Sequence, residues 1–277
     1  MWRMRPPSLV TTFFEAAWLV LELASLPLTK SMLRGEVPDG DGSPVLVLPG
    51  ILNNDVMTAP LRGFIEELGY KTYAWDGGLN IGFSKNTAKH LADRLDKIYR
   101  DTGKKVALVG HSLGGIYARE LARQFPHKVS KVITMGSAFG ADKELQAITP
   151  ALRLVFRAAS FNNPHITDQA IIKRSLIPPP VPTTSIFSRT DGLVDWHACL
   201  NPKARRAENI EVQGGHVGVF MNPGALLALA DRLAAPVRGW KPFDPSQYDI
   251  GYGNPTPYTG EVPERPRMPR NIPNLFI

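Results

Sequence analysis

The sequence predicts an α/β domain with a mostly parallel sheet of about six strands and helices on both of its faces. Two observations carry this prediction. Short apolar runs alternate along the chain with segments whose apolar residues recur at helical spacing, as in βαβ units. These runs are also continuous, which is typical of strands buried on both faces. Hydrophobic residues form 43% of the 277 residues, enough for one large core.

The predicted domain spans residues 40–235. Its six strands are “PVLVLPG” (44–50), “YKTYAW” (70–75), “KVALVG” (105–110), “VSKVITMGS” (129–137), “TTSIFS” (183–188) and “ENIEVQ” (208–213). Helical patterns lie at 55–70, with Asp55 as candidate N-cap, and at 86–103, 116–126 and 223–235.

Residues 1–39 are predicted to form an amphipathic helix and a linker. The start is basic and then apolar, like a signal peptide, but Glu15 and Glu22 leave only “AAWLVL” uncharged between them. That stretch is too short for a secretory segment, and the apolar part is too interrupted to be expected to span a bilayer. The two glutamates share one helical face and apolar residues surround the rest. Such a helix either packs on the domain or lies on a membrane interface.

Two other segments depart from the strand–helix alternation. Residues 138–182 interrupt it with a long insertion, which predicts a cap or lid. Its apolar helical stripe, which either packs on the core or covers a pocket, consists of Leu152, Val155, Phe156 and Ala159. Residues 236–277 contain prolines too frequent for a helix or a central strand, so an extended C-terminal segment is expected, with its aromatic residues against the domain.

The stretch “VALVGHSLGGIYARELA” (106–122) joins a strand to a helix through one serine between glycines. Gly110 and Gly114 permit the strained backbone of a sharp turn around Ser112. The turn lifts the hydroxyl above the carboxyl edge of the sheet, where ligands bind, and the first amides of the helix favour negative charge there. Ser112 is therefore predicted to be a nucleophile, and the Leu113 amide an oxyanion donor.

A serine hydroxyl needs a base to take its proton and a carboxylate to orient that base. Both are expected after later strands, the acid first and the histidine second. Asp191 directly follows “TTSIFS” in a Thr-Asp-Gly turn, and Asp195 is the alternative acid. His216 follows the last strand in “GGHVGV”, and the other five histidines are less well placed.

A second oxyanion donor is expected in “VLVLPGILNND” (45–55), after the first strand. Gly50 allows the backbone to approach Ser112, so that the amide of Ile51, or that of Leu52, faces the oxyanion. Such a donor is typically worth ~10² to 10³ in turnover.

Together, “VLPGI”, “VGHSLGG”, “SRTDGLVDW” and “GGHVGV” resemble the α/β-hydrolase superfamily, and they are similar to bacterial serine esterases and lipases. The resemblance covers roughly residues 44–235. It implies the α/β-hydrolase fold with an inserted cap, and acyl transfer to water through a serine ester, without a cofactor. The residues it implies are the triad Ser112, Asp191 and His216 and the oxyanion donors Ile51 and Leu113. Many relatives have His-Gly where this chain has Pro49-Gly50, so their substrate preferences do not transfer.

The apolar insertion favours a hydrophobic acyl or aryl ester, with Leu52, Trp196 and Phe220 as predicted substrate-binding residues. The predicted function is thus a carboxylic-ester hydrolase, either an esterase or a lipase acting on lipid. One alternative is an acyltransferase that passes the acyl group to an alcohol or amine. Another is a hydrolase-like binding protein without catalysis.

Other patterns argue against further classes of function. The sequence has no metal-ligand spacing, phosphate loop or dinucleotide fingerprint. Its net charge of +7 comes from scattered residues without a nucleic-acid-binding motif. The single cysteine, Cys199, excludes an internal disulfide framework and fits a reducing compartment. A cytoplasmic protein is expected, with peripheral membrane contact only if the N-terminal helix is interfacial.

Overall fold

A computed structural model describes residues 4–140, 145–160, 174–248 and 253–266. A seven-stranded sheet is formed by β1 (Pro44–Leu48), β2 (Lys71–Tyr73), β3 (Val106–His111), β4 (Val129–Met135), β5 (Thr183–Ser188), β6 (Ala207–Val212) and β7 (Thr256–Pro257). The helices are α1 (Leu9–Leu33), α2 (Ala59–Glu67), α3 (Lys85–Thr102), α4 (Leu113–Gln124), α5 (Pro150–Ser160) and α6 (Pro223–Ala234).

The strands lie in the order β2-β1-β3-β4-β5-β6-β7. All pairs from β2 to β6 are parallel, which confirms the predicted α/β class with its six-stranded parallel sheet. The short β7 pairs antiparallel with β6 and comes from the proline-rich C-terminal segment. Sequence reasoning missed it because Pro257 is unfavourable in a strand except at an edge such as this one.

Side chains of β1 show how the sheet is covered on both faces. Val45 and Val47 point into a core formed with α2, α6 and the end of α1. Leu46 and Leu48 point into a second core formed with α3 and α4. Because successive strand residues face opposite sides, a continuous apolar run supplies both cores. The sheet is therefore fixed from both sides, with the carboxyl ends of its parallel strands at one edge.

The start of the second helix differs from the prediction. α2 begins at Ala59, and Thr58 precedes it without a side-chain cap. Asp55 does not cap this helix, because its two carboxylate oxygens accept hydrogen bonds from the amides of Trp75 and Asp76 at 3.1 Å. Asp55 instead joins the loop after β1 to the loop after β2.

Helix α1 packs on the domain with its carboxylates facing inward. Ser8 caps its first turn by accepting a hydrogen bond from the Thr11 amide. The inward stripe consists of Glu15, Leu19, Glu22, Leu26, Thr29 and Leu33, spaced three or four residues apart. Most of the helix's large apolar side chains are exposed instead. The helix is long and apolar enough, by length and composition, to cross a membrane.

The described parts of the insertion 138–182 contain α5 and no strand, apart from a single bridge between Ile148 and Val194. Leu152 and Phe156 of its predicted stripe pack partly buried against the core, and Val155 is half-buried. Residues 141–144 and 161–173 and the side chain of Ala159 lie outside the described residues.

Where the chain returns from the insertion, it is fastened to helix α4. The fully buried Arg119 donates hydrogen bonds to the carbonyls of Ser175 and Leu176 at 3.0 and 3.3 Å. The same guanidinium lies 3.7 Å from the centre of the Phe139 ring. The end of the insertion is thereby tied to the helix that follows the elbow serine.

The C-terminal segment lies along the domain in its described parts, 236–248 and 253–266. The Phe243 amide donates to Glu208 at 2.7 Å and the Tyr248 hydroxyl donates to Asp231 at 2.6 Å. Tyr258 packs against Phe187. Residues 249–252 and 267–277 lie outside the described residues.

Candidate active site

Ser112 occupies the sharp turn between β3 and α4. Its backbone has φ 51° and ψ −120°, a left-handed conformation that is strained for a residue with a side chain. The Ser112 amide donates to the Met135 carbonyl at 2.8 Å, which holds the turn. A Cβ atom on Gly110 would collide with the backbone of Gly114, and one on Gly114 would collide with Leu48. The glycines are therefore required by close packing around the turn.

The structure brings Ser112, His216 and Asp191 together. Ser112 Oγ lies 3.0 Å from His216 Nε2, and His216 Nδ1 lies 2.7 Å from Asp191 Oδ2. A carboxylate only accepts hydrogen bonds, so Nδ1–H donates to Asp191 and Nε2 is left to accept the Ser112 proton. All three side chains are at least 93% buried. The arrangement matches the nucleophile, base and orienting acid of acyl-transfer enzymes.

The two candidate acids have different partners. The second oxygen of Asp191 accepts hydrogen bonds from the amides of Leu193 and Val194 at 2.9 and 2.7 Å. These bonds fix the carboxylate beside His216. Asp195 turns away from the site and accepts hydrogen bonds from both the amide and the ring Nδ1 of His197. Of the two, only Asp191 contacts His216 within the described residues.

The pKa of His216 is raised above its usual 6.5. Burial alone would lower it, but the charge and hydrogen bond of Asp191, together with the charge of Glu15, outweigh that effect because they stabilise the imidazolium. A stronger base accepts the serine proton more readily, provided that the solution pH keeps the ring neutral beforehand.

The loop after β1 brings two amides to the site. A Cβ on Gly50 would lie 3.1 Å from the Ser112 Cβ, so the loop backbone passes directly beside the serine. The Leu52 amide donates to the Asn80 carbonyl at 2.7 Å and is thus engaged elsewhere. Within the part of the chain that the structure describes, the Ile51 and Leu113 amides have no acceptor. This favours Ile51 over Leu52 as the second oxyanion donor.

Comparisons with known proteins agree with this architecture. A sequence model of the alpha/beta hydrolase fold matches residues 44–173. Pimeloyl-(acyl-carrier protein) methyl ester esterases of Vibrio campbellii and Vibrio parahaemolyticus are 33% and 35% identical over 75 and 78 residues. Those matches cover 26% and 27% of this chain and span only 30% and 31% of the length of the relatives.

Among solved structures, lipase B of Aspergillus fumigatus aligns with a TM-score of 0.57 and 20% identity. The alignment covers 78% of this chain and 59% of the lipase chain. The chain has the α/β-hydrolase fold. The resemblance that the four sequence motifs suggested is thus confirmed at the level of the fold.

In this hydrolase fold, His111 supports the candidate base through its backbone. Its Nε2 lies 2.9 Å from the His216 carbonyl oxygen and so donates a hydrogen bond to it. Burial lowers the pKa of His111 to about 3, and the neighbouring His216 charge acts in the same direction. His111 therefore stays neutral at working pH. The sequence analysis judged this histidine less well placed than His216, although its position next to Ser112 indicated that it lies at the site.

Asn80 was missed altogether and holds the loop after β1, which carries the candidate oxyanion donor Ile51. Its fully buried side chain donates from Nδ2 to the Pro49 carbonyl at 2.9 Å and accepts from the Tyr117 hydroxyl at 3.1 Å. Its backbone bonds with Leu52 and Asn53. A lone asparagine in “GGLNIGF” gave no signal of this role, because the partners through which it holds the loop, Pro49, Leu52, Asn53 and Tyr117, are distant in sequence.

Replacing Asn80 by alanine should destabilise the fold and slow the hydrolysis of ester substrates. Pro49 O and the Tyr117 hydroxyl would lose their buried partner, at a cost of roughly 2 to 4 kcal/mol in the free energy of unfolding. That cost corresponds to a fall in Tm on the order of 10 °C. The kcat for ester hydrolysis should also fall, about tenfold or more, since the Ile51 amide loses its support. Asn54→Ala, which removes only an exposed turn contact, is the matched control; an equal effect of both variants would contradict this role.

Helix α1 bonds directly to the loops that carry the acid and the base. The Glu15 carboxylate accepts hydrogen bonds from the amides of Gly192 at 2.6 Å, His216 at 2.8 and 2.9 Å, and Val217 at 3.1 Å. Thr12 Oγ1 donates to the Gly192 carbonyl at 2.7 Å. Because these amides belong to or adjoin the candidate acid and base, the helix fixes the positions of Asp191 and His216.

Glu15→Gln is expected to shift the pH profile of the reaction. The variant loses the negative charge that helps to raise the pKa of His216, so the acid limb of kcat/KM should move to lower pH. The base is active when neutral, and a lower pKa keeps it neutral further into acid. The kcat should fall severalfold, because one of the loop amides loses its acceptor. Glu67→Gln, at the surface ion pair with Lys30, is the control; an unshifted acid limb in Glu15→Gln would contradict the assignment.

Glu22 is the second inward carboxyl of α1. It accepts hydrogen bonds from the Gly215 amide at 3.2 Å and from Asn222 Nδ2 at 3.3 Å. Burial is the main cause that raises its pKa from 4.5 to about 7, with a smaller contribution from the charge of Glu15. The folded protein thus binds this proton more tightly than the unfolded chain does.

This shift predicts a pH-dependent stability. Proton binding by Glu22 stabilises the fold fully below about pH 4.5, and that contribution is lost as the pH rises through about 7. Glu22→Gln keeps the Oε1 contacts without the charge. Its Tm should match that of the parent near pH 4.5 and exceed it at pH 8, by an amount equivalent to about 3 kcal/mol at most. Parallel Tm curves for the two proteins across this range would show that Glu22 does not titrate with folding.

The three predicted substrate-binding residues have different surroundings. Leu52 is 51% exposed beside the oxyanion loop. Phe220 is buried behind His111, with their ring centres 5.0 Å apart. Trp196 stacks on His197 and on Phe187. No ring contact or hydrogen bond joins Trp196 or Phe220 to Ser112 or His216 within the described residues. A role in substrate binding stays a prediction for all three residues.

Proposed function

We propose that the protein is a serine hydrolase that cleaves carboxylic esters through an acyl-enzyme intermediate. The observation that carries this proposal is the continuous line of hydrogen bonds from Ser112 Oγ through His216 to Asp191, at 3.0 and 2.7 Å. The backbone strain at Ser112 adds support, because strained conformations of this kind cluster at active sites.

In the first half of the reaction, His216 Nε2 takes the proton of Ser112 as Oγ adds to the ester carbonyl carbon. The negative charge that develops on the carbonyl oxygen is stabilised by the Ile51 and Leu113 amides. The tetrahedral species then collapses, and the C–O bond to the alcohol breaks. His216 returns the proton to the leaving alcohol, and the acyl group remains on Ser112.

In the second half, His216 takes a proton from water, and the hydroxyl adds to the acyl carbon. The same two amides hold the oxyanion. When the bond to Ser112 breaks, His216 returns its proton to the serine and the carboxylic acid leaves. Asp191 stabilises the imidazolium that forms in each half.

A hydrophobic acyl or aryl group is the substrate part that this chain favours. The loops after β1 and β2 lie at the carboxyl edge of the sheet, beside Ser112, and expose several large apolar side chains. These are Leu52, Val56, Met57, Leu79 and Ile81, each 47% to 79% exposed. Among the proteins compared above, two are named methyl ester esterases and one a lipase, which supports ester chemistry.

p-Nitrophenyl esters of increasing acyl length test this proposal, with Ser112→Ala as the background. The parent protein should hydrolyse them and prefer longer acyl chains. Equal rates for the parent and Ser112→Ala would refute the proposal. Addition of a primary alcohol distinguishes the acyltransferase alternative. If the main product is then a new ester rather than the free acid, the protein is an acyltransferase and not a hydrolase.

A further inference from the structure

The outward half of α1 is apolar along its whole length. No residue exposed on this half of the helix carries a charge. Its large side chains are Leu9, Val10, Phe13, Phe14, Val20, Leu21, Leu23, Leu28 and Met32, each 43% to 88% exposed. At 1.5 Å per residue the 25-residue helix is about 37 Å long. A soluble surface helix normally shows the opposite arrangement, with the polar face outward.

The width of this face indicates what covers it. Exposed positions occupy about half of the helix circumference at 100° per residue, whereas a helix–helix seam needs only a narrow stripe of two positions per heptad. A second copy packed through such a seam would leave much of the face in water. A lipid surface covers a broad face along its full length, because the acyl region conforms to the side chains.

The charged residues in and around α1 also indicate a lipid surface. Both carboxylates of α1, Glu15 and Glu22, are turned inward, where neither faces the surroundings. Exposed cations stand at the two ends of the helix, Arg5 before it and Arg34 directly after it, and the exposed Glu36 lies two residues beyond Arg34, outside the helix. The chain carries a net charge of +7. An apolar face bordered by cations is complementary to an anionic phospholipid surface.

A shallow apolar groove of about 380 Å³ runs beside the helix. It is lined by Thr11, Phe14, Ala17, Trp18, Leu21 and Thr190. Thr190 belongs to the loop after β5, directly before the candidate acid Asp191. The groove therefore offers an apolar surface for an acyl chain within the same face.

We propose that α1 docks the protein on an anionic phospholipid surface, lying in the plane of the interface with its outward half in the acyl boundary. The inward carboxylates argue against a spanning helix. Glu15 and Glu22 bond to the loops around Gly192 and His216, and spanning would break those bonds and place both carboxyls in hydrocarbon. Docking in the plane keeps them and holds the carboxyl edge of the sheet near the lipid.

Vesicle flotation of the full chain tests the proposal, with phosphatidylcholine vesicles with and without phosphatidylglycerol. The parent should float with the anionic vesicles and dissociate progressively as salt rises. The double variant Phe13→Ser/Val20→Ser, at two exposed positions that do not line the groove, should bind at least tenfold more weakly. Val237→Ser, which alters an exposed apolar residue far from α1 in sequence, should bind like the parent. Hydrolysis of a short, soluble ester and the Tm should be unchanged in both variants, which shows that they are folded.

Three results would overturn the proposal. The first is a parent that stays in solution with every vesicle, and the second is a double variant that floats as well as the parent. Equal binding to neutral vesicles would remove the assignment to an anionic surface. Light scattering distinguishes a lipid surface from a second copy of the chain. If the parent is a dimer that does not float, and the double variant is a monomer, the face binds a second copy. Flotation requires no substrate, so these outcomes are independent of the proposed hydrolase activity.

Discussion

Replacing Ser112 by alanine should lower kcat for ester hydrolysis by about 10⁴- to 10⁶-fold. Without Oγ no serine ester can form, and only the oxyanion amides and the binding surfaces remain to assist attack by water. The Tm should change little, because alanine keeps the Cβ at the strained φ of 51°. Rates over a series of p-nitrophenyl esters, with the Tm measured alongside, check both expectations.

Ser137 provides the matched control for this substitution. It is also a buried serine near the elbow helix, and among the residues that the structure describes its hydroxyl donates only to the Met135 carbonyl, at 3.3 Å. Ser137→Ala should retain most of the activity. Comparable losses in Ser112→Ala and Ser137→Ala would mean that packing around the turn, rather than a nucleophile, explains the first result.

Replacing Asp191 by asparagine should lower kcat by about 10⁴-fold. The amide Nδ2 of asparagine would face His216 Nδ1, which favours the tautomer whose Nε2 carries the proton and cannot accept one from Ser112. Because asparagine is uncharged, the substitution should also remove the negative charge that is the main cause raising the pKa of His216. Any residual activity should therefore extend to lower pH. Kinetics from pH 5 to 9 measure both effects.

Asp195→Asn is the control, since the sequence left both aspartates open. Asp195 bonds to His197 and to the Arg5 amide. Its loss should alter kcat by less than about threefold. A large fall in Asp195→Asn together with a small one in Asp191→Asn would reverse the assignment of the acid.

The parts of the site that could be predicted are those formed by residues that are close together in the sequence or fixed by the order of the strands. The glycines around Ser112 define the turn within five residues, and the position of His216 after the last parallel strand follows from the order of the sheet. The six parallel strands were predictable for the same reason, because each is a short, continuous apolar run in the sequence. β7 was not, because its residues form a strand only by adding to the edge of β6.

The rest depends on contacts between residues far apart in the chain. Glu15 bonds to amides that are 177 to 202 residues away, so nothing near it in sequence shows that it faces the base loop. A carboxylate in an apolar helix is ordinarily expected in water, and its burial is stable here because loop amides replace the water. Asp191 and Asp195 both follow β5 within seven residues. The sequence favoured Asp191 for its Thr-Asp-Gly turn, but only the tertiary structure shows which carboxylate contacts His216.

Intact-mass analysis after treatment with a fluorophosphonate tests the central claim most directly, because this reagent phosphonylates an activated serine. We expect one adduct per chain, located on Ser112 by peptide mapping, that forms rapidly in the parent and in Asp195→Asn and slowly in Asp191→Asn. No adduct should form in Ser112→Ala. An adduct on another residue, or an unmodified Ser112 in a folded protein that hydrolyses esters, would contradict the account.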